Sequence, residues 1–235
     1  MKKIMSFILW TVITLCLVFA AMCFFPYFNI SDIQVNGIES LSKEQVISMC
    51  GLDRSHNLFA YNTIKAANTL KANNYIKNVS FKKSPPQTLV INVEEYGVRG
   101  YIPYMNSYLY IDGEGRVIDS RPDMTKQLPI LTGLNFDSFT IGEVLETDNT
   151  YTYKAVSEMA DLFTAYELSS DVIKVDVSDT DNIHLYVDKV DVKFGSFDDA
   201  NDKIVELNEI LKQLDTSIAG VLDLTAANPT FKYLS

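Results

Sequence analysis

Residues 4–25, reading IMSFILWTVITLCLVFAAMCFF, carry no charge. At about 1.5 Å per residue a helix of that length reaches about 33 Å, against a bilayer core of about 30 Å. Lys2 and Lys3 precede the run and the next charge is Asp32. The positive-inside rule then keeps the N-terminus in the cytoplasm and exports the rest. Val18 and Ala20 could serve a signal peptidase as its small-residue pair, but the apolar stretch continues to Phe28. Signal-peptide cores are shorter, about 7–15 residues. A lipoprotein would need a small residue before Cys23, where Met22 stands. The expected arrangement is a cytoplasmic tail over 1–3 and an uncleaved membrane helix over 4–25. Pro26 ends the helix, because proline cannot continue its hydrogen bonding.

Apolar residues make up 47% of the chain and charged residues 21%, which excludes a disordered chain. The net charge of −10 argues against nucleic acid as a partner, since affinity there comes from Lys and Arg on phosphates. The charge is unevenly spread. Residues 29–101 sum to +2 and residues 102–235 to −14. This shift sets the expected boundary, with domains over 29–100 and 101–235. Cys16 and Cys23 lie in the apolar run and Cys50 is alone beyond it, so no disulfide is possible within the exported part. Cys50 is expected to be a small buried hydrophobe.

In the first domain, Ile33 and Val35 alternate with polar neighbours, and Asn36-Gly37 turns the chain. Ser42 with Gln45 forms a capping box that opens a helix to about Cys50, ended by Gly51. A second helix is expected over 61–73, with Ile64, Ala67 and Leu70 on its inner face. Two strands follow, one with Val79 and Phe81 on a face, the next with Leu89, Ile91 and Val93. Ser84-Pro85-Pro86-Gln87 between them cannot stay in a ladder. The order is strand, helix, helix, strand, strand, an α+β layer.

The second domain opens with strands at 108–111 and 117–118 around the turn Asp112-Gly113-Glu114-Gly115. A calcium loop there would need an oxygen ligand at its fifth position, which is Arg116. An amphipathic helix is expected over 151–168, with Ala155, Met159, Leu162, Phe163 and Tyr166 facing inward. Strands follow at 172–177, 183–187 and 190–194. A second amphipathic helix spans 198–214, and strands at 221–224 and 229–234 end the chain. His56 and His184 are far apart in sequence, and no nucleophile, phosphate-loop or metal-ligand motif occurs. Asp176, Asp179, Asp181, Asp188 and Asp191 fall around turns and read as turn formers. No catalytic, cofactor-binding or metal-ligating residues are expected.

These residues carry a resemblance. Val35 and Gly37, then Leu41, Ser42, Gln45 and Val46, then Val79, Pro86, Thr88, Leu89, Ile91, Val93 and Glu95 resemble the POTRA domain of the FtsQ/DivIB bacterial cell-division proteins. Tyr110, Asp112, Gly115 and Val117 match that family's hairpin. Leu128, Pro129, Leu131 and Gly133 match a further segment, as do Phe194, Gly195 and Lys203 before a helix, and Gly220, Asp223 and Leu224 near the end. The chain departs from the family pattern at Thr225, where a basic residue is usual, and at Gly97-Val98-Arg99. The resemblance implies an α+β protein: one N-terminal transmembrane helix, a βααββ POTRA domain, then a mixed, largely antiparallel β-rich domain with two amphipathic helices.

It also implies a non-enzymatic scaffold in the cell membrane at the division septum. The scaffold binds and stabilises the single-span coiled-coil proteins FtsB/DivIC and FtsL during septal wall synthesis, and meets other division proteins through POTRA. The contact is expected at the terminal strand, on Thr230, Phe231, Tyr233 and Leu234. An edge strand offers unpaired backbone, and aromatics make good anchors. The same strand could instead close the core with Phe231 buried. The alternative function is a POTRA-bearing translocation or assembly factor. It should carry tandem POTRA units or repeated barrel strands, and neither is visible in the sequence.

Overall fold

The apolar run forms helix α1, Lys2–Phe24. The structure, a computed structural model, describes every residue except Met1, Arg54, 148–150, Ala227 and Ser235. The window Ile4–Met22 is not buried against the described protein at all. A helix that is apolar all round and uncovered by protein belongs in lipid. Its two threonines suit that solvent: Thr11 donates to Ile8 O at 2.7 Å and Thr14 to Trp10 O at 2.8 Å, so neither hydroxyl is left unpaired. Beyond a single 3-10 turn, Pro26–Phe28, two compact units divide at Tyr96 and Gly97.

The first unit has strand β1 (Asp32–Asn36), helices α2 (Lys43–Met49) and α3 (Thr63–Lys71), and strands β2 (Ile76–Ser84) and β3 (Thr88–Glu95). The sheet order is β1-β3-β2, with β1 parallel and β2 antiparallel to β3. Leu89 and Ile91 on β3 are fully buried, as are Val46 on α2 and Leu70 on α3, so one sheet face carries both helices. Ser42 and Gln45 form the capping box in both directions, at 3.1 and 2.7 Å. Gly37 has φ +78°, and a Cβ there would lie 2.0 Å from Val93 O, so only glycine allows the turn after β1. The Glu95 carboxylate accepts from the backbone of Glu39, Ser40 and Leu41, which ties the loop before α2 to the end of β3. One expectation fails. Ile64 is 74% exposed, and the inner face of α3 is Ala66 and Leu70. Ile64 stands about 200° around the helix from Ala66, so it falls on the face turned away from the sheet.

The second unit holds nine strands in the order β12-β11-β10-β9-β8-β7-β4-β5-β6. These are β4 (Gly100–Tyr104), β5 (Ser107–Ile111), β6 (Val117–Arg121), β7 (Ile130–Thr132), β8 (Val172–Asp176), β9 (Ile183–Val187), β10 (Val190–Gly195), β11 (Gly220–Asp223) and β12 (Thr230–Tyr233). Helix α4 (Tyr151–Ala165) connects β7 to β8 and α5 (Ala200–Leu211) connects β10 to β11. Both pairs of strands are parallel, which requires such a crossover. The inward residues form one core, with Met159 and Phe163 of α4 and Ile204 and Leu207 of α5 set against Val175, Leu185, Val192 and Leu222. Each such fully buried side chain contributes about 1.5–3 kcal/mol.

The sequence reading contains no strand at β4. Pro103 interrupts that run, and proline has no ladder donor. The strand tolerates it because β4 meets β7 only at Tyr101, leaving Pro103 beyond that contact. Asp191 is also misread as a turn former; it stands in β10 with Oδ1 2.7 Å from His184 Nδ1.

Candidate functional site

Strand β12 ends the nine-stranded sheet, and among the described residues no strand pairs its outer side. The opposite edge, β6, is partly covered: Val117 N donates to Glu143 O and Gly142 N to Val117 O. Pairing on β12 runs Asp223 with Thr230, Leu222 with Phe231, Val221 with Lys232 and Gly220 with Tyr233. Leu234 N donates to Ala219 O at 2.9 Å, which sets the phase of the ladder. Antiparallel bonding alternates along a strand, so Thr230 and Lys232 bond inward. Phe231 and Tyr233 turn their backbone N–H and C=O groups to the open side.

The side chains divide differently. Phe231 is half-buried and packs on the core, whereas Tyr233 is 68% and Leu234 59% exposed. Phe231 and Tyr233 meet edge to face with ring centroids 4.9 Å apart. A Cβ on Gly220 would lie 2.1 Å from the Phe231 ring, so glycine makes the seat in which that ring lies. Thr230 is exposed on the strand's other face. The four residues singled out from the sequence therefore share one edge, with Phe231 as its inner support and Tyr233 and Leu234 as its exposed surface. Ile218, 44% exposed and two residues before Gly220, stands at the same end of the edge. No sequence signal marks it, because it lies in a turn and belongs to no periodic run.

Behind the edge, the Asp223 carboxylate accepts from the Thr225 hydroxyl at 2.6 Å and its N–H at 3.0 Å. Those bonds hold its carboxyl below the ordinary range. Lys203 of α5 donates to Ser196 O at 2.8 Å and lies over the Phe194 ring, which links the end of β10 to the crossover helix.

The other polar groups hold local structure. Asp112, buried in the β5–β6 turn, accepts from the backbone of Glu114 and Arg116 at 2.9 and 2.8 Å. Burial pushes its carboxyl above the usual range, although those N–H bonds pull the other way. His56 contacts Asp53 at 2.9 Å. Cys50 is buried, which pushes its thiol up to about 11. Among the described residues no group of three or more His, Cys, Asp or Glu is placed to hold a metal. The loop over 135–147 lines a cavity of about 540 Å³ with Asp137, Glu143 and Glu146, joined among the described residues by no histidine, cysteine or lysine.

Comparison with known proteins bears on both units. Residues 28–96 match the FtsQ-type POTRA domain, and residues 100–225 match the C-terminal domain of the cell division protein FtsQ/DivIB. Cell division protein DivIB of Clostridium botulinum (strain Hall) is 28% identical over 231 residues, covering 96% of this chain and 87% of that protein. DivIB of Clostridium acetobutylicum is 27% identical, with 93% and 86% covered. FtsQ of Corynebacterium glutamicum is 23% identical over 118 residues, covering 50% of this chain and 53% of that one. The solved major extracytoplasmic domain of DivIB from Geobacillus stearothermophilus aligns with 53% of this chain and 98% of its own, at 15% identity and a TM-score of 0.34.

Proposed function

This chain belongs to the FtsQ/DivIB family of cell division proteins, and on that premise we propose that it is a membrane-anchored, non-enzymatic scaffold of the division machinery. It holds FtsB/DivIC-like and FtsL-like single-span proteins at the septum, with its N-terminus in the cytoplasm. The POTRA domain, residues 29–100, meets further division proteins, and residues 101–235 carry the coiled-coil partners. The observation that supports this reading is the edge of β12, which no described strand pairs, with Tyr233 and Leu234 exposed beside outward-facing backbone groups. A strand laid along that edge would bond to the outward N–H and C=O groups of Phe231 and Tyr233, and the exposed side chains would select the partner. Anchoring every component in one membrane raises effective concentration, so modest contacts suffice.

In-cell photo-crosslinking from position 233, with captured proteins identified by mass spectrometry, tests the site. Capture of small single-span coiled-coil proteins is expected. Changing Phe231 and Tyr233 together to Asp should abolish capture from a neighbouring position, Leu234, while the protein stays folded in the membrane. Unchanged partner binding in that variant would remove β12 as the site.

A further inference from the structure

The end of α1 contains a backbone group that the helix cannot satisfy. Met22 O would accept, in a continuing helix, from the N–H four residues on, and that residue is Pro26, which has none. Asn57 supplies the missing donor. Its Nδ2 donates to Met22 O at 3.1 Å and to Phe25 O at 3.2 Å. The same amide's Oδ1 accepts from Phe59 N at 2.9 Å and Ala60 N at 3.3 Å. One side chain thus joins the loop before α3 to the last turn of the membrane helix. Ile30 N to His56 O and Leu58 N to Phe28 O, both 2.8 Å, run beside it, and Gln87 Nε2 donates to Tyr27 O. Phe28 packs edge to face on Phe59 at 5.2 Å.

These ties bring one end of the POTRA sheet to the level of the helix end. That end comprises the loop before α3, the first turn of α3 and the β2–β3 turn. Among the described residues this end exposes apolar side chains, Phe25 at 60%, Tyr27 at 57%, Ile64 at 74% and Ala60, alongside the polar Asn62 and Lys65. We infer that this end of the unit is a lipid-docking surface, resting on the outer headgroup layer with Asn57 as the clamp. The occupant follows from continuity, because the surface begins where a bilayer-spanning helix ends. The chemistry agrees, since aromatic rings with a polar tip such as Tyr27 favour the membrane–water interface. It also explains Ile64, which the core does not use. The inference rests only on α1 spanning a bilayer, and is independent of which proteins the scaffold binds.

The test uses the full chain in nanodiscs containing lipids brominated on their acyl chains near the glycerol. Trp10 is the one tryptophan and is first replaced by Phe. A tryptophan is then placed at Ala60 or at Asn74, which precedes β2 at the opposite end of a nine-residue strand, about 30 Å away. Lipid quenching is expected at least threefold stronger at 60 than at 74. Asn57→Asp keeps the acceptor for Phe59 and Ala60 but loses the donor, and should bring quenching at 60 most of the way to the level at 74. Equal quenching at the two positions would overturn the docking surface. So would shielding of position 60 from aqueous iodide without lipid quenching, which would mean protein covers that end. Full quenching at 60 in Asn57→Asp would overturn the clamp.

Discussion

Asp112 is the residue whose chemistry is most open to direct measurement. Its carboxyl is pushed up by burial in the β5–β6 turn, so the folded state favours the protonated form. A group raised in this way stabilises the fold below its ordinary range, about pH 4, and that contribution is lost as pH rises through the folded value. Asn keeps the oxygen that accepts from Glu114 and Arg116. The thermal midpoint of wild type minus that of Asp112→Asn should therefore fall as pH rises from 3 to 7, and a flat or rising difference would show that burial is not the dominant influence. Gly220 makes a second residue-scale prediction. Gly220→Ala forces the Phe231 ring from its seat and should cost about 1–3 kcal/mol in chemical denaturation, since overpacking displaces neighbours. The turn role of Asp112 and the helix-ending role of Pro26 were legible in the chain because both act on adjacent backbone. The partner of Met22 O was not, since Asn57 is distant in sequence and one asparagine in a polar stretch carries no signal.

At the scale of elements, helix starts and alternating strands followed local rules. Ser42→Ala should cost about 1 kcal/mol, the usual value of a helix cap. Strand β12 separates support from surface. Phe231→Ala should lower stability by about 1–2 kcal/mol, less than a fully buried aromatic, while Tyr233→Ala should stay within about 0.5 kcal/mol. Denaturation midpoints of the two variants check this, and equal losses would mean that Tyr233 also belongs to the core. Strand β4 and the outward turn of Ile64 were not legible. Pro103 and Ile64 each follow a local tendency that neighbouring elements override, one through where β7 stops and the other through which face of α3 meets the sheet.

On the scale of the whole molecule, the two cores share no residue. Denaturation of the detergent-solubilised chain should then show two transitions rather than one. Ile91→Ala, at the centre of the first core, should cost about 2–5 kcal/mol and shift one transition only. A single transition that moves as a whole would show the units to be coupled.

By itself the sequence determined the membrane helix, the α+β class, the strand–helix order of the first unit and the two amphipathic helices of the second. Each depends on the period of apolar residues, on a cap, or on charge within about a dozen neighbours. Only the tertiary structure decided that β12 ends the sheet, that Gly220 seats Phe231 and that Asn57 closes the last turn of α1. Those features pair groups from separate parts of the chain. Their free energy comes from burial and from satisfied backbone donors and acceptors, which exist only once the two parts have met.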